Sequence, residues 1–351
     1  MTLEVRERPN GLYSARCRFR VNGKRQWFNL GNGYEDEGTA RQEGERLRSE
    51  KWVELFGENT TDKPIIRKEE PLKRPDEEVL AEAIKRYERT ANHERQKRER
   101  RIILPEKPVM LSFLSDLHFG NPGTDYKAAF DDAKLIRDTQ DAYAFFIGDG
   151  FDNWIVGKLM GLQRGQAVPF DEEMQLFGYW SEIIGEKMLL KVSGNHELWT
   201  LKSCGIDSVQ AAWRGIDVAI YDHHEIAFDL VHGDTVRAVK VRHKVRGNSE
   251  YNPTHGMEKY WQNGDEEFDW ILMGHTHIGT LCREFLRHRQ KCRAMLIGTY
   301  KQVDKYAKEI GFPTTYGQGS GAMVLHPDGR EVWVDDLKLG VDILRLWQNE
   351  W

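Results

Sequence analysis

The chain has 351 residues, 39% of them hydrophobic and 11 of them Trp, with 51 Lys and Arg against 56 Asp and Glu and a net charge of -5. At roughly 150 residues per domain the length suggests about two domains, and this much apolar material excludes wholesale disorder. No apolar run approaches the ~18 residues that span a bilayer, and MTLEVRERPNG lacks the apolar heart of a secretion signal. Cys17, Cys204, Cys282 and Cys292 are scattered without a CxxC, which excludes a disulfide framework or a thiolate zinc site, so a soluble, cytoplasmic protein without membrane partners is expected.

Charge is uneven. Residues 1–105 hold 24 basic and 20 acidic side chains, the remainder 27 and 36, and the first 30 residues seven and two. A basic front end on an acidic body suggests a separate module that meets a polyanion. Residues 12–21 (LYSARCRFRV) alternate with period two. Tyr13, Ala15, Cys17, Phe19 and Val21 fall on one face, and Ser14, Arg16, Arg18 and Arg20 on the other. Asn22-Gly23 supplies a hairpin turn, and 25–30 reads as the returning strand. Thr39-Ala40-Arg41-Gln42 has capping-box form and predicts a helix to about Phe56. Residues 1–56 are thus a small sheet with one helix.

Residues 57–75, with three Pro, read as a linker. Residues 76–105 begin with a charged connecting helix: 15 of the 26 residues 76–101 are charged, and the apolar stripe Val79, Leu80, Ala83, Ile84 and Tyr87 is confined to its first half. Its basic second half suggests either a solvated face or a second polyanion contact. From 106 to 351 the texture is βαβ. Apolar strands are expected at 109–114, 143–147, 188–192, 217–221, 226–232, 269–273, 294–298 and 321–325, with helices at 125–139 and 171–186.

The polar residues closing these strands carry the chemistry. They run Ser115-Asp116-Leu117-His118, then Gly148-Asp149 with Asp152-Asn153, then Gly194-Asn195-His196-Glu197, then His232-Gly233-Asp234, and finally Gly274-His275-Thr276-His277. Ligands in α/β sheets gather where strands end, so these clusters can converge. Carboxylates, imidazoles and a carboxamide without thiolates suit a hard or borderline divalent cation. Lone histidines such as His223, His224, His255, His288 and His326 read as ordinary hydrogen-bonded residues, and Glu197 and Asp234 as structural partners. Arg242, His243, Lys244 and Arg246, in a basic and aromatic segment (236–263), either steer an anion at the rim of a cleft or belong to a solvated loop.

DxH, GDxxDN, GNHE, HG and GHTH, in this order over about 109–325, resemble the calcineurin-like metallophosphoesterases. The resemblance implies a four-layer αββα sandwich of two mixed sheets flanked by helices, behind the small three-stranded sheet and helix. It implies two divalent ions, manganese foremost, with Fe, Zn, Ni or Mg as alternatives. Asp116, His118, Asp149 and His277 would hold the first ion. Asn195, His232 and His275 would hold the second, with Asp149 bridging. The implied nucleophile is a bridging hydroxide between ions ~3.5–4 Å apart. His196 would protonate the leaving oxygen, with Asp152 accepting from its other ring nitrogen. Asn153 stands where the protein phosphatase branch has a phosphate-gripping Arg, which points toward phosphodiesters rather than phosphomonoesters.

Residues 9–56 resemble, in pattern, the arm-binding domain of phage integrases and the DNA-binding domain of ethylene-response factors. That implies a sheet face in the major groove, with Arg16, Arg18 and Arg20 facing the DNA and Lys24 and Arg25 reaching phosphates. The combined expectation is a DNA phosphodiesterase or nuclease, by analogy phage-encoded and acting in a host cytoplasm. A hydrolase of small nucleotides or phosphomonoesters, with residues 1–56 as a docking module, is the alternative. A catalytically silent binding protein is the third.

Overall fold

The computed structural model describes residues 2–22, 24–56, 74–97, 100–155, 157–214, 218–247, 249, 251–264, 267–287, 290–302 and 318–351. The linker expected at 57–75 falls almost entirely outside them, as does His288. By contacts the chain divides into two units, Met1–Ala81 and Glu82–Trp351. No helix among the described residues is long and apolar enough to cross a membrane.

In the first unit β1 (Thr2–Glu7), β2 (Tyr13–Val21) and β3 (Lys24–Tyr34) form an antiparallel sheet in that order, and α1 (Glu37–Phe56) packs on one face. The alternation in β2 decides which face. Ala15, Cys17 and Phe19 are buried against α1, where Ala40 is buried and Trp52 lies 5.5 Å from the Phe19 ring. Asn22 takes a positive φ of 49° at the hairpin turn. The helix begins earlier than the Thr39 capping box predicts, because Asp36 accepts from both the Thr39 amide (2.8 Å) and hydroxyl (2.7 Å). The third strand of the three-stranded sheet that the resemblance implies is β1, whose register pairs Glu4 with Arg16 and Thr2 with Arg18.

After α2 (Asp76–Lys97), the second unit runs β4 (Arg101–Ile103), β5 (Val109–Leu114), α3 (Tyr126–Asp138), β6 (Ala142–Phe146), α4 (Phe170–Ile184), β7 (Met188–Val192), α5 (Asn195–Cys204) and α6 (Ser208–Ala212). It continues β8 (Ile220–Asp222), β9 (Glu225–His232), β10 (Thr235–Arg242), α7 (His255–Asn263) and β11 (Trp270–Met273). Last come β12 (Leu281–Arg287), β13 (Gln290–Leu296), β14 (Ser320–Leu325), β15 (Glu331–Val334) and α8 (Leu337–Glu350).

Two six-stranded mixed sheets result, ordered β15-β14-β5-β6-β7-β8 and β12-β13-β11-β10-β9-β4. The strands β5, β11 and β14 are buried on both faces, which explains their unbroken apolar runs. Alternate residues choose the layer. Val109, Leu111 and Phe113 of β5 face the core between the sheets, with Phe145, Phe228, Trp270 and Leu272. Met110 and Leu114 point the other way, into a cluster with Phe177, Trp180 and Leu344 of the covering helices. Ile271 and Met273 of β11 meet Met257 and Trp261 of α7 on the outer face of the second sheet. Burying each such side chain contributes about 1.5–3 kcal/mol. The order helix, sheet, sheet, helix is the architecture the resemblance implies.

Candidate metal centre

Strand direction positions the site. β5, β6 and β7 run parallel in one sheet, and β10, β11 and β13 run parallel in the other. The loops leaving their C-terminal ends carry Asp116 and His118, Asp149 and Asp152, Asn195 and His196, His243, His275 and His277, and Thr299 to Lys301.

Three overlapping groups offer ligand atoms within 4.8 Å of one another: Asp116, His118 and His277; His118, Asp149 and His196; Asp149, His243 and His275. His277 Nε2 lies 2.9 Å from Asp116 Oδ1 and 3.0 Å from His118 Nε2. Asp149 Oδ2 lies 3.0 Å from His243 Nε2 and 3.9 Å from both His118 Nε2 and His196 Nε2. Asp149 therefore belongs to two of the three groups and joins the two sides of the cluster. Both carboxylates are buried.

The backbone is bent to make this arrangement. Asp116, His118, Asp149, His275 and His277 all take positive φ, between 47° and 72°. For residues with a Cβ this region costs on the order of 1–3 kcal/mol each, and such strain concentrates at functional sites. Two glycines give the carboxylates their room. A Cβ on Gly194 would lie 2.0 Å from Asp149 Oδ1, and one on Gly274 would lie 2.4 Å from Asp116 Oδ2. Glu197 fixes the Asp149 loop by accepting from the amides of Asp149 (3.1 Å), Gly150 (2.6 Å), Phe151 (3.2 Å) and Gly194 (2.6 Å). That is the structural part expected of it.

Burial pushes the Asp149 carboxyl up, but the imidazoles of His243, His196 and His118 outweigh it and hold the group well below the usual carboxylate range. Burial likewise pulls His243 and His118 down. The carboxylates more than reverse this, lifting His243 to about 9 and His118 to about 10. His275 and His196, dominated by burial, fall to about 3 and about 4. Buried carboxylates this concentrated require compensating positive charge from protons or from cations.

The donor set fits divalent cations. His243 Nδ1 donates to the Ile147 carbonyl at 2.7 Å, and His118 Nδ1 to Asp152 Oδ1 at 2.9 Å, so each ring aims Nε2 at the carboxylates. This is the outer support typical of metal-ligating histidines. Asn195 Oδ1 is buried without a hydrogen-bond partner, an orphaned acceptor of the kind a cation satisfies. The buried His/Asp cluster thus fits a divalent metal site.

Of the metal residues expected from sequence, Asp116, His118, Asp149, His275 and His277 come together, and Asn195 opens α5 directly before His196. His232 does not join them. β9 and β10 are antiparallel and joined by Gly233-Asp234, which leaves His232 opposite Thr235 at the far end of the hairpin. At ~3.4 Å per residue the eight steps from Thr235 to His243 put it roughly 27 Å from the cluster. There its Nε2 bonds the Lys107 carbonyl at 2.8 Å. His243, expected as a steering group or part of a solvated loop, stands in the cluster instead. Residues 236–242, expected within a rim segment, belong to the strand that delivers it. A Gly-Asp pair between apolar alternations is a hairpin signal, and it was the clue available in the sequence.

The Asp152 carboxylate also differs from expectation. It accepts from His118, and its other oxygen accepts from Asn121 (2.8 Å), Trp154 (2.6 Å) and Gln166 (2.7 Å). His196 Nδ1 donates instead to the Asp152 backbone carbonyl at 2.5 Å. Asn153 spends its amide on the His196 carbonyl (2.9 Å) and Thr200 Oγ1 (2.6 Å), a brace for α5. In the first unit Arg16 and Arg18 lie over the exposed Trp27 ring, at 4.3 and 5.1 Å from its centroid, and Arg16 also bonds Glu4. Arg20 pairs across the hairpin with Arg25, and Lys24 follows the turn.

No protein-family model matches the chain, and no curated protein sequence matches it. Among solved structures it is similar to the calcineurin-like phosphoesterase YfkN from Bacillus subtilis, at 10% identity and a TM-score of 0.32, over 63% of this chain and 85% of that one. It is also similar to Vps29 from Chaetomium thermophilum, at 11% identity and a TM-score of 0.31, over 64% of this chain and 91% of that one.

Proposed function

We propose that the chain is a metal-dependent phosphoesterase that hydrolyses phosphodiester bonds, with DNA as the substrate brought to it by the basic first unit. The observation that carries the reading is Asp149, a buried carboxylate common to two His/Asp groups. Asp116, His118, Asp149 and His277 would hold one divalent ion, manganese foremost, and Asp149, His243, His275 and Asn195 the other. Bound there, such ions acidify water and neutralise charge developing on phosphoryl oxygens.

The chain's own residues supply the rest. With Nδ1 committed to the Asp152 carbonyl, the proton His196 can carry is the one at Nε2, on the side of Asp149. Burial favours the neutral ring, and an anionic phosphate beside Nε2 supplies the charge that favours its protonation. His196 then hands that proton to the leaving oxygen. Trp154 and Trp199 lie against His196, at 4.9 and 4.1 Å between centroids, and shield it from water. His196→Ala is therefore expected to keep its metal content while losing ~10²–10⁴-fold in turnover. Unchanged turnover on a diester with a poor leaving group would remove His196 from this role.

For DNA, the support is a solvent-facing row of arginines with an exposed Trp between them on the first unit's sheet. Guanidinium groups and an aromatic face suit phosphates and base edges. Changing Arg16, Arg18 and Arg20 together to Ser is expected to weaken DNA binding and flatten its salt dependence, while hydrolysis of a small chromogenic diester continues. Binding as tight as the parent's would take DNA away from that face. The activity itself is tested with manganese on a chromogenic phosphodiester and its monoester, then on linear, nicked and single-stranded DNA. Faster diester turnover and DNA cleavage are expected; a preference for the monoester with intact DNA would favour a small substrate.

A further inference from the structure

Lys301 is a buried cation near the cluster that no sequence motif announces. Its side chain is only 2% exposed, and its ammonium lies 3.3 Å from Asp152 Oδ1, the oxygen that accepts from His118 Nδ1. Burying an ammonium is costly, so a lysine here needs a reason beyond filling space. The segment carrying it also braces the loop that holds Asp116 and His118. Tyr300 N and Thr299 Oγ1 both donate to the Asp116 carbonyl, at 3.1 and 2.9 Å. Thr124 bridges to Lys301 along the backbone and donates its hydroxyl to the His118 carbonyl at 2.9 Å. Backbone and side chain of 299–301 thus converge on one side of the cluster, that of Asp116, His118 and His277.

We propose that Lys301 is a positioning residue for that side. Its fixed charge pins the Asp152 carboxylate, Asp152 holds the His118 ring by Nδ1, and Nε2 is thereby aimed at Asp116 and His277. Among the described residues this chain of contacts leads from Lys301 to the His118 side, so the effect is expected at one of the two cation sites. The inference rests on the metal-centre reading above and adds to it a residue whose influence is selective.

The test is a manganese titration of the full chain, following free ion by electron paramagnetic resonance, for the parent, Lys301→Met and Lys301→Arg. The parent is expected to take up two ions. Lys301→Met is expected to bind one as the parent does and the other ~10–100-fold more weakly, the usual consequence of losing an outer support. Lys301→Arg is expected to recover most of that loss. Two sites of parental affinity in Lys301→Met would overturn the proposal and leave the metal centre standing. Equal weakening at both sites, with a lowered melting temperature in chelator, would make Lys301 merely structural and also overturn it. A parent that binds no manganese would remove the metal centre itself. Should Lys301→Met not fold, Lys301→Gln carries the same expectation.

Discussion

Asp149→Ala is expected to leave the protein without either bound ion and without measurable phosphoester hydrolysis. Asp149 Oδ2 is within 3.9 Å of three imidazoles belonging to both sides of the cluster, so its loss strips a carboxylate from both at once. Lewis-acid stabilisation of a phosphoryl transition state is worth several kcal/mol. At about 1.4 kcal/mol per decade, losing it costs on the order of 10³–10⁴-fold or more in rate. The fold should survive, because Glu197 and not Asp149 ties the 149–151 amides to α5. Metal content by plasma emission after dialysis, with a chromogenic diester assay, measures both effects. Two ions per chain retained in Asp149→Ala would contradict the shared-carboxylate geometry.

The second large effect separates two histidines. His243→Ala is expected to lose the ion on its side and well over the ~10–100-fold that an outer partner costs, since its Nε2 lies 3.0 Å from Asp149 Oδ2. His232→Ala is expected to keep both ions and parental turnover. It gives up the bond to the Lys107 carbonyl, about 0.5–1.5 kcal/mol, plus the packing around a buried ring. Thermal melts alongside the metal counts distinguish the outcomes. The reverse pattern, with His232→Ala losing metal, would mean that the β9–β10 hairpin runs differently from its register here.

These two histidines also show what a sequence can and cannot convey. Asp116, His118, Asp149, His275 and His277 were legible because each follows an apolar run that can only be a buried strand, and parallel strands of one sheet end on the same side. His232 follows an equally good strand. Whether that strand points toward the site or away from it is a matter of topology, and residue type does not encode it. The turn at Gly233-Asp234 reverses the chain, so the next strand's end, at His243, is the one that arrives. The partners of Asp152 were obscured for a related reason: spacing put it near both His118 and His196 without telling which ring its carboxylate would meet. Lys301 had no pattern at all, since one lysine after an apolar strand is indistinguishable from a surface residue until the sheets are stacked. In the first unit, the β2 alternation was strong enough to assign both faces. The position of β1 is not legible by pattern, because Leu3 and Val5 are too few to register as a strand, and only the resemblance implies a third strand.

The most direct measurement is the anomalous scattering of a crystal of the full chain grown with manganese. The account predicts two peaks flanking Asp149, one bounded by Asp116, His118 and His277 and the other by His243 and His275. No peak beside Asp149, or manganese bound at His232 instead, would contradict it.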